Sequence, residues 1–252
     1  MMKKKGDSPI AVDDVNSIIE DAEPVTGNIL KNDNDNTKGN GEGNIGAEGQ
    51  VLVSVSGTEF KESTTVSIKG TYGTLEVNND GTYTYTLNAE AQKLHKDEEF
   101  TEKFTYVIRD ADGDTSQAEL SIHITGRNDA PVINTDAKSV VSEEGLTGGI
   151  KDNNGNTDTT DAAVVTGQIN AKDIDHDAVL SYEFTGVPSE ALTSNGQPVV
   201  WVLDSATNTV TGYANGNKVL ELILDSKTGE YTVLITSRLC SITTMVLPLS
   251  RS

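Results

Sequence analysis

Only one cysteine, Cys240, occurs among 252 residues, so no disulfide can form within the chain. A small scaffold stapled by disulfides is therefore excluded. Aromatic residues make up 5% and hydrophobic residues 35% of the sequence, and no apolar run reaches the roughly 20 residues of a membrane span. Basic residues are scarce: 19 Lys and Arg stand against 39 Asp and Glu, a net charge of −20. Binding to nucleic acid or to anionic lipid needs a basic surface, so no nucleic acid and no membrane partner is expected. An acidic chain suits cations instead. The opening MMKKKGDSPI has a basic cluster with no apolar stretch behind it and is not a signal peptide. A cytosolic protein, a protein exported without an N-terminal signal, or a fragment would each begin this way. Catalytic signatures are also missing: there is no GxSxG, no HExxH, no phosphate-binding Gly loop followed by Lys and no Cys–His pair. Paired acids can hydrolyse glycosides, but here they lie in D-x-D runs rather than in an aromatic-lined cleft. The chain is not expected to be an enzyme.

Alternation of apolar and polar residues is abundant, which argues against the disorder that an acidic chain with 23 glycines would otherwise suggest. VLVSVS (51–56), TVSIK (65–69), GTLEVN (73–78), TYTYTL (82–87), FTYVI (104–108) and AELSIHIT (118–125) read as half-buried strands. NNDG at 78–81 predicts a hairpin turn, with Gly81 supplying a positive φ. AEAQKLHKDEE (89–99) is the one helical candidate in this half, a turn or two after Asn88 as N-cap. GRNDAP (126–131) ends one set of strands. Beyond it KSVVSE (138–143), AVVTGQIN (163–170), VLSYEF (179–184), PVVWVLD (198–204), NTVTGYA (208–214), KVLELIL (218–224) and EYTVLI (230–235) form a second set. SNG (194–196), ANG (214–216) and SKTG (226–229) are the turns. The expected fold class is all-β: two tandem Greek-key sandwiches over 9–127 and 128–240, about seven short strands each. Residues 236–252 hold the cysteine, two arginines and no acid. That tail is expected to be a truncated or out-of-frame end.

DADGD (110–114) puts Asp110, Asp112 and Asp114 at alternate positions, where extended chain would crowd them on one face. Two like charges about 4 Å apart cost about 1 kcal/mol even in water. NDNDN supplies Asp33 and Asp35, KDIDHDA supplies Asp173, Asp175 and Asp177, and AVDD supplies Asp13 and Asp14. None is an EF-hand, which needs Gly at position six and Glu at twelve. Counted from Asp110 those positions are Thr115 and Ser121; from Asp173 they are Ala178 and Phe184. In a seven-strand sandwich, the entering strand, the loop after the second strand and the last hairpin share one end. Asp13 and Asp14, Asp33 and Asp35, and DADGD would converge there. The opposite end of the first unit carries Glu20, Asp21 and Glu23 in one turn and Asp97, Glu98 and Glu99 in another. At the second unit the GRNDAP linker, with Asn128 and Asp129, would meet KDIDHDA. Oxygen ligands without His or Cys suit a hard cation, and Ca2+ is the natural candidate.

GTYGTLEVNNDGTYTYTLN followed by FTYVIRDADGDTSQAELSIHITGRNDAPV resembles the VCBS-type, cadherin-like repeat of giant bacterial surface and secreted proteins, over about 9–133. SEEGLTGGI, KDIDHDAVLSYEFTGVP, ALTSNGQPVVW and TGEYTVLI resemble the companion repeat of RTX-type adhesins exported by type I secretion, over about 138–235. The resemblance implies extracellular or cell-surface modules, rigidified by calcium, that serve adhesion or biofilm formation beside sibling repeats of the same polypeptide. It also implies calcium between consecutive domains. The ligands would be an acid of the first strand, Glu20, then Asn128 and Asp129 of the linker, then Asp173 and Asp175. The closing segment after residue 235 departs from the family pattern, and there is no RTX nonapeptide tract.

Plainer readings stand beside these. DADGD is also a good polar turn, the acids at 97–99 read as solvated surface, and Trp201 and the pair Tyr83 and Tyr85 read as packing residues. His95, His123 and His176 fall in different elements, so no transition-metal site is expected. Two functions follow: calcium-stabilised extender repeats of an adhesin, or a glycan- or protein-binding module using a loop such as the Gly/Asn stretch 37–46.

Overall fold

The computed structural model describes residues 8–33, 51–60, 64–110, 113–133, 139–149, 162–239 and 249–251. Asp35, Asp112, Cys240 and the loop 37–46 lie outside the described residues. The chain is all-β and divides into two compact units. One comprises Met1–Asp129 with Ile174–Asp177, the other Ala130–Asp173 with Ala178–Ser252. No helix among the described residues is long and apolar enough to cross a membrane.

The first unit runs β1 (Asp14–Ile19), β2 (Val25–Asn28), β3 (Val51–Val55), β4 (Thr58–Glu59), β5 (Thr65–Lys69), β6 (Gly73–Asn78), β7 (Thr82–Leu87), β8 (Glu99–Arg109) and β9 (Thr115–Thr125). One sheet has the order β1-β9-β8-β3-β4 and the other β2-β7-β6-β5. The chain enters in the first sheet, crosses to the second for β2, returns for β3 and β4, crosses again for β5 to β7, and closes with β8 and β9. That exchange of sheets is the immunoglobulin-like Greek key. β1 lies parallel to β9, with Asp14 opposite Leu120. Alternate residues of both sheets fill one core: Leu75, Val77, Tyr83 and Tyr85 from one, and Leu52, Phe104, Tyr106, Ile108, Leu120, Ile122 and Ile124 from the other.

Turn chemistry follows the sequence. Asp80 Oδ1 accepts from the Thr82 N–H at 3.0 Å, and Gly81 has φ 82°. The helix expected at 89–99 is only a 3-10 turn, Ala91–Lys93, with Leu94 extended after it. Its N-cap is Glu90, without a side-chain cap bond, rather than Asn88; the Asn88 side chain instead accepts from the Glu90 N–H at 2.8 Å, just ahead of the turn. Ala91 and Leu94 are buried there. Burying this single turn anchors the connection, and Asp97 then takes a left-handed φ of 62°, which ends any helical continuation.

The second unit contains β10 (Val132–Ile133), β11 (Val164–Gln168), β12 (Ala171–Lys172), β13 (Tyr182–Phe184), β14 (Thr193–Ser194), β15 (Gln197–Asp204), β16 (Thr209–Ala214), β17 (Asn217–Leu224), β18 (Glu230–Ile235) and β19 (Leu249–Arg251). Its main sheet has the order β11-β18-β17-β16-β15-β14, and β10-β12 and β13-β19 are two-stranded pairs. Asn195 and Gly196, and Asn215 and Gly216, all have positive φ, as two-residue I′ hairpin turns require. Val210, Leu220, Leu222, Leu224 and Tyr231 are core residues, and Trp201 packs half-buried against them. The strand expected at 138–143 does not form over its described residues. Ser142 instead accepts from the Glu144 N–H at 3.2 Å and caps the 3-10 turn Glu143–Gly145, because a serine before two acids makes a good cap.

A glycine lies under a tyrosine ring in each unit. Gly27 pairs with Tyr83 across β2 and β7, and a Cβ there would sit 2.5 Å from the ring. Gly167 pairs with Tyr231 in the same way. Gly27→Ala should displace Tyr83, break the 2.9 Å bond from Asn16 Nδ2 to its hydroxyl, and cost about 1–3 kcal/mol, the usual range for overpacking. Urea unfolding of the full chain would show this as a lower first-unit midpoint; an unchanged midpoint would contradict the packing described.

Candidate metal centres

The first centre grows from the start of β1. Asp33 is fully buried, although a carboxylate is rarely buried without a partner. Its Oδ1 accepts from the Val12 N–H at 2.7 Å and lies 3.0 Å from the Tyr106 hydroxyl. The Tyr106 hydroxyl also lies 2.7 Å from the Val12 carbonyl and 3.1 Å from Asp14 Oδ2. A single O–H proton is thus shared among three acceptors, two of them carboxylates. Asp33 Oδ2 is buried and meets no hydrogen-bond partner among the described residues. Asp13 Oδ1 accepts from the Glu119 N–H at 2.9 Å, and the Asn32 side chain donates to the Asp13 carbonyl at 3.2 Å. Asp13, Asp14 and Asp33 are therefore gathered by backbone and tyrosine contacts, with no ion pair to Asp14 or Asp33 among the described residues.

Electrostatics agree with that geometry. Burial first, then the charges of Asp33 and Asp13, raise the Asp14 carboxyl to about 6 against the hydrogen bond from Tyr106. Burial likewise raises Asp33 against its bonds from Val12 and Tyr106. Tyr106 itself is pushed up by burial and by the Asp33 and Asp14 charges.

The second centre lies where β1 ends. Glu20 is 1% exposed. Its Oε2 accepts from the Arg127 N–H at 2.7 Å, and its Oε1 is buried with no hydrogen-bond partner among the described residues. Burial raises its pKa most, and the charges of Asp129, Asp21 and Asp175 raise it further. Asp175 is buried as well, and its Oδ2 accepts from the Asp129 N–H at 3.1 Å. Asn128 Nδ2 donates to the Asp129 carbonyl at 2.6 Å. Segment 174–177, distant in sequence, clusters with the first unit and brings Asp175 to Glu20 and Asp129. Asp177 is exposed, with a left-handed φ of 60°, and Asp173 is half-buried in the other unit.

Asp110 and Asp114, the described acids of DADGD, bond to one another. The Asp114 N–H donates to Asp110 Oδ1 at 2.9 Å, the Asp110 N–H donates to the Asp114 carbonyl at 3.0 Å, and Gly113 has φ 91°.

Glu20 and Asp33 each present a buried carboxylate oxygen with no donor, beside other acids and backbone carbonyls. Such a donor set fits a hard cation that takes six to eight oxygens. Sequence reasoning missed Tyr106, whose position in an alternating strand marks only packing. It also missed the meeting of His95 and His176: their ring centroids are 5.3 Å apart. Glu98 was expected to be solvated, but its side chain is only 18% exposed.

These carboxylates set a pH dependence. Asp14 binds its proton more tightly folded than unfolded, so its contribution favours folding below its ordinary value of 3.8 and is lost as pH rises toward about 6. Turn hydrogen bonds lower Asp80, Asp204 and Asp225, which act with the opposite sign. The comparison of wild type with Asp14→Asn isolates the effect. In chelator, the variant should gain stability relative to wild type between pH 4 and 7, as read from urea midpoints; a pH-independent difference would contradict the buried acid cluster. (The pH limits are about those of the unfolded and folded carboxyl.)

Comparison with known proteins adds the following. The calcium-binding lectin RapA2 of Rhizobium johnstonii is 31% identical over 148 residues, which is 58% of this chain and 60% of that protein. The match thus spans less than two thirds of that relative. Among solved structures, protocadherin gammaB7 EC3–6 aligns at a TM-score of 0.38 and 15% identity, covering 95% of this chain and 51% of that one. Mouse cadherin-23 EC22–24 aligns at 0.39 and 12%, covering 92% and 56%. Residues 6–126 match the family model of the bacterial cadherin-like domain.

Proposed function

We propose that this chain is a non-catalytic, calcium-stabilised extender segment of a bacterial surface or secreted adhesin. The observation that carries the proposal is the pair of buried carboxylates, Glu20 and Asp33, each with an oxygen that no donor among the described residues meets. Calcium near Asp33 would be held with Asp13 and Asp14, and with Asp35 of the same D-x-D run. Calcium near Glu20 would be held with Asp129 and Asp175, with Asn128, Asp173 and Asp177 as further oxygen donors nearby in sequence. Asp110, Asp112 and Asp114 are the third candidate set. Binding at Glu20 would fasten segment 174–177 to the first unit and so restrain the chain that continues from it. Neighbouring repeats of the same polypeptide are the natural partners of such a segment, and the location is extracellular, by type I secretion. At a Kd of ~10⁻⁴ M, usual for extracellular modules, calcium at about 100 times that level adds about 2.7 kcal/mol per site, a large share of a domain's stability.

A second reading, a glycan- or protein-binding module, draws support from the lectin name of the Rhizobium relative. Two measurements separate the proposals. Calcium titration by calorimetry should show saturable binding that Glu20→Gln reduces by at least one equivalent; unchanged stoichiometry would overturn the assignment of Glu20. A glycan array probed in calcium should show no specific retention for an extender, whereas specific retention would favour the binding module.

A further inference from the structure

We propose that His95, Glu98 and His176 form a binding site for a divalent transition-metal cation of the zinc class, distinct from the oxygen-only acid clusters. The three side chains come from the connection after the 3-10 turn and from segment 174–177, both in the first compact unit. His95 Nε2 is 3.5 Å and His176 Nε2 is 3.3 Å from the same atom, Glu98 Oε2. The three potential ligand atoms all lie within 4.8 Å of one another. A zinc ion bound at about 2.0–2.1 Å to each sets tetrahedral ligand atoms about 3.3–3.4 Å apart, the spacing both Nε2 atoms already keep from Glu98 Oε2, so the edge between the two imidazoles is the one that must close.

The groups behind the ligands set their orientation. A carbonyl can only accept, so His95 Nδ1, 3.2 Å from the Lys96 carbonyl, is the donor of that bond. His176 Nδ1 donates to the Lys93 carbonyl in the same way, and the His176 backbone N–H donates to that carbonyl at 2.9 Å. Both rings thus carry a proton on Nδ1 and turn Nε2 toward Glu98, so that a metal ion would take the place of any Nε2 proton. Metal-bound histidines are oriented by this arrangement, with the outer ring nitrogen donating to a backbone carbonyl. Glu98 is held in turn: its Oε2 accepts from the His95 N–H at 3.2 Å, and its own N–H donates to the His95 carbonyl at 3.0 Å. Two imidazoles with one carboxylate select zinc, copper or nickel over calcium. His95 and His176 side chains are 53% and 41% exposed, which leaves a fourth position to water. The rival account is a pair of protonated histidines bridged by Glu98, with His176 held above the usual histidine range by the Lys93 carbonyl first and by nearby acids after it.

Zinc titration of the full chain distinguishes them. Calorimetry in saturating calcium, above neutral pH and with Cys240→Ser as the background so that no thiolate competes, should show one saturable equivalent. His95→Gln and His176→Gln should each weaken it by at least about tenfold, leaving the calcium response intact. No saturable zinc binding, or unchanged affinity in the doubly substituted chain, would overturn the site. Saturating calcium is present in every arm and the comparison is between histidine variants of one chain, so failure of the zinc site is read separately from the Glu20→Gln calcium titration that tests the extender proposal.

Discussion

Buried negative charge without a positive partner is the constraint around which the first unit is arranged. Glu20 and Asp33 sit at the two ends of the chain's entering segment, each nearly or fully buried and each with an oxygen that no donor among the described residues meets. Burying an ionised carboxylate costs several kcal/mol unless it is paired. The sequence offers 19 basic residues against 39 acids, so this deficit is not met from within. In the proposed function a hard cation would meet it, and metal binding would then become part of folding stability.

The sandwich creates the problem and positions its solution. β1 pairs in parallel with β9, which fixes Asp13 and Asp14 at one end and carries Glu20 to the other. The alternation of β8 points Tyr106 inward, so its ring belongs to the core while its hydroxyl meets Val12, Asp14 and Asp33. Core packing and acid placement are therefore coupled through one side chain. Similarly Leu94 and Ala91 anchor the connection that presents His95 and Glu98. A loosened cation site would be felt in the packing beneath it, because these residues cannot shift independently.

Much of this was legible in the sequence. Period-two alternation located β5, β6, β7 and β18 residue for residue, and the Asn-Gly pairs located the I′ turns, since both signals are local. The 89–99 segment misled because Ala91 and Leu94 have helical spacing, yet one buried turn does not sustain a helix against the left-handed Asp97. At 138–143 the capping by Ser142 competed with strand formation. Acid clusters could be read as clusters, but which oxygen would lack a donor could not: that depends on contacts such as Arg127 with Glu20, 107 residues apart. The histidines failed for the same reason, since His176 reaches Lys93 across 83 residues and no local pattern carries that proximity.

The most direct test of the central claim is thermal unfolding of the full chain in saturating calcium and again in excess chelator. Buried, unpartnered carboxylates that bind calcium predict a Tm higher by several degrees in calcium, with Glu20→Gln and Asp33→Asn each removing part of the gain. Superimposable melts in calcium and chelator would contradict the account and leave Glu20 and Asp33 as buried acids held in place by their hydrogen bonds from Arg127, Val12 and Tyr106.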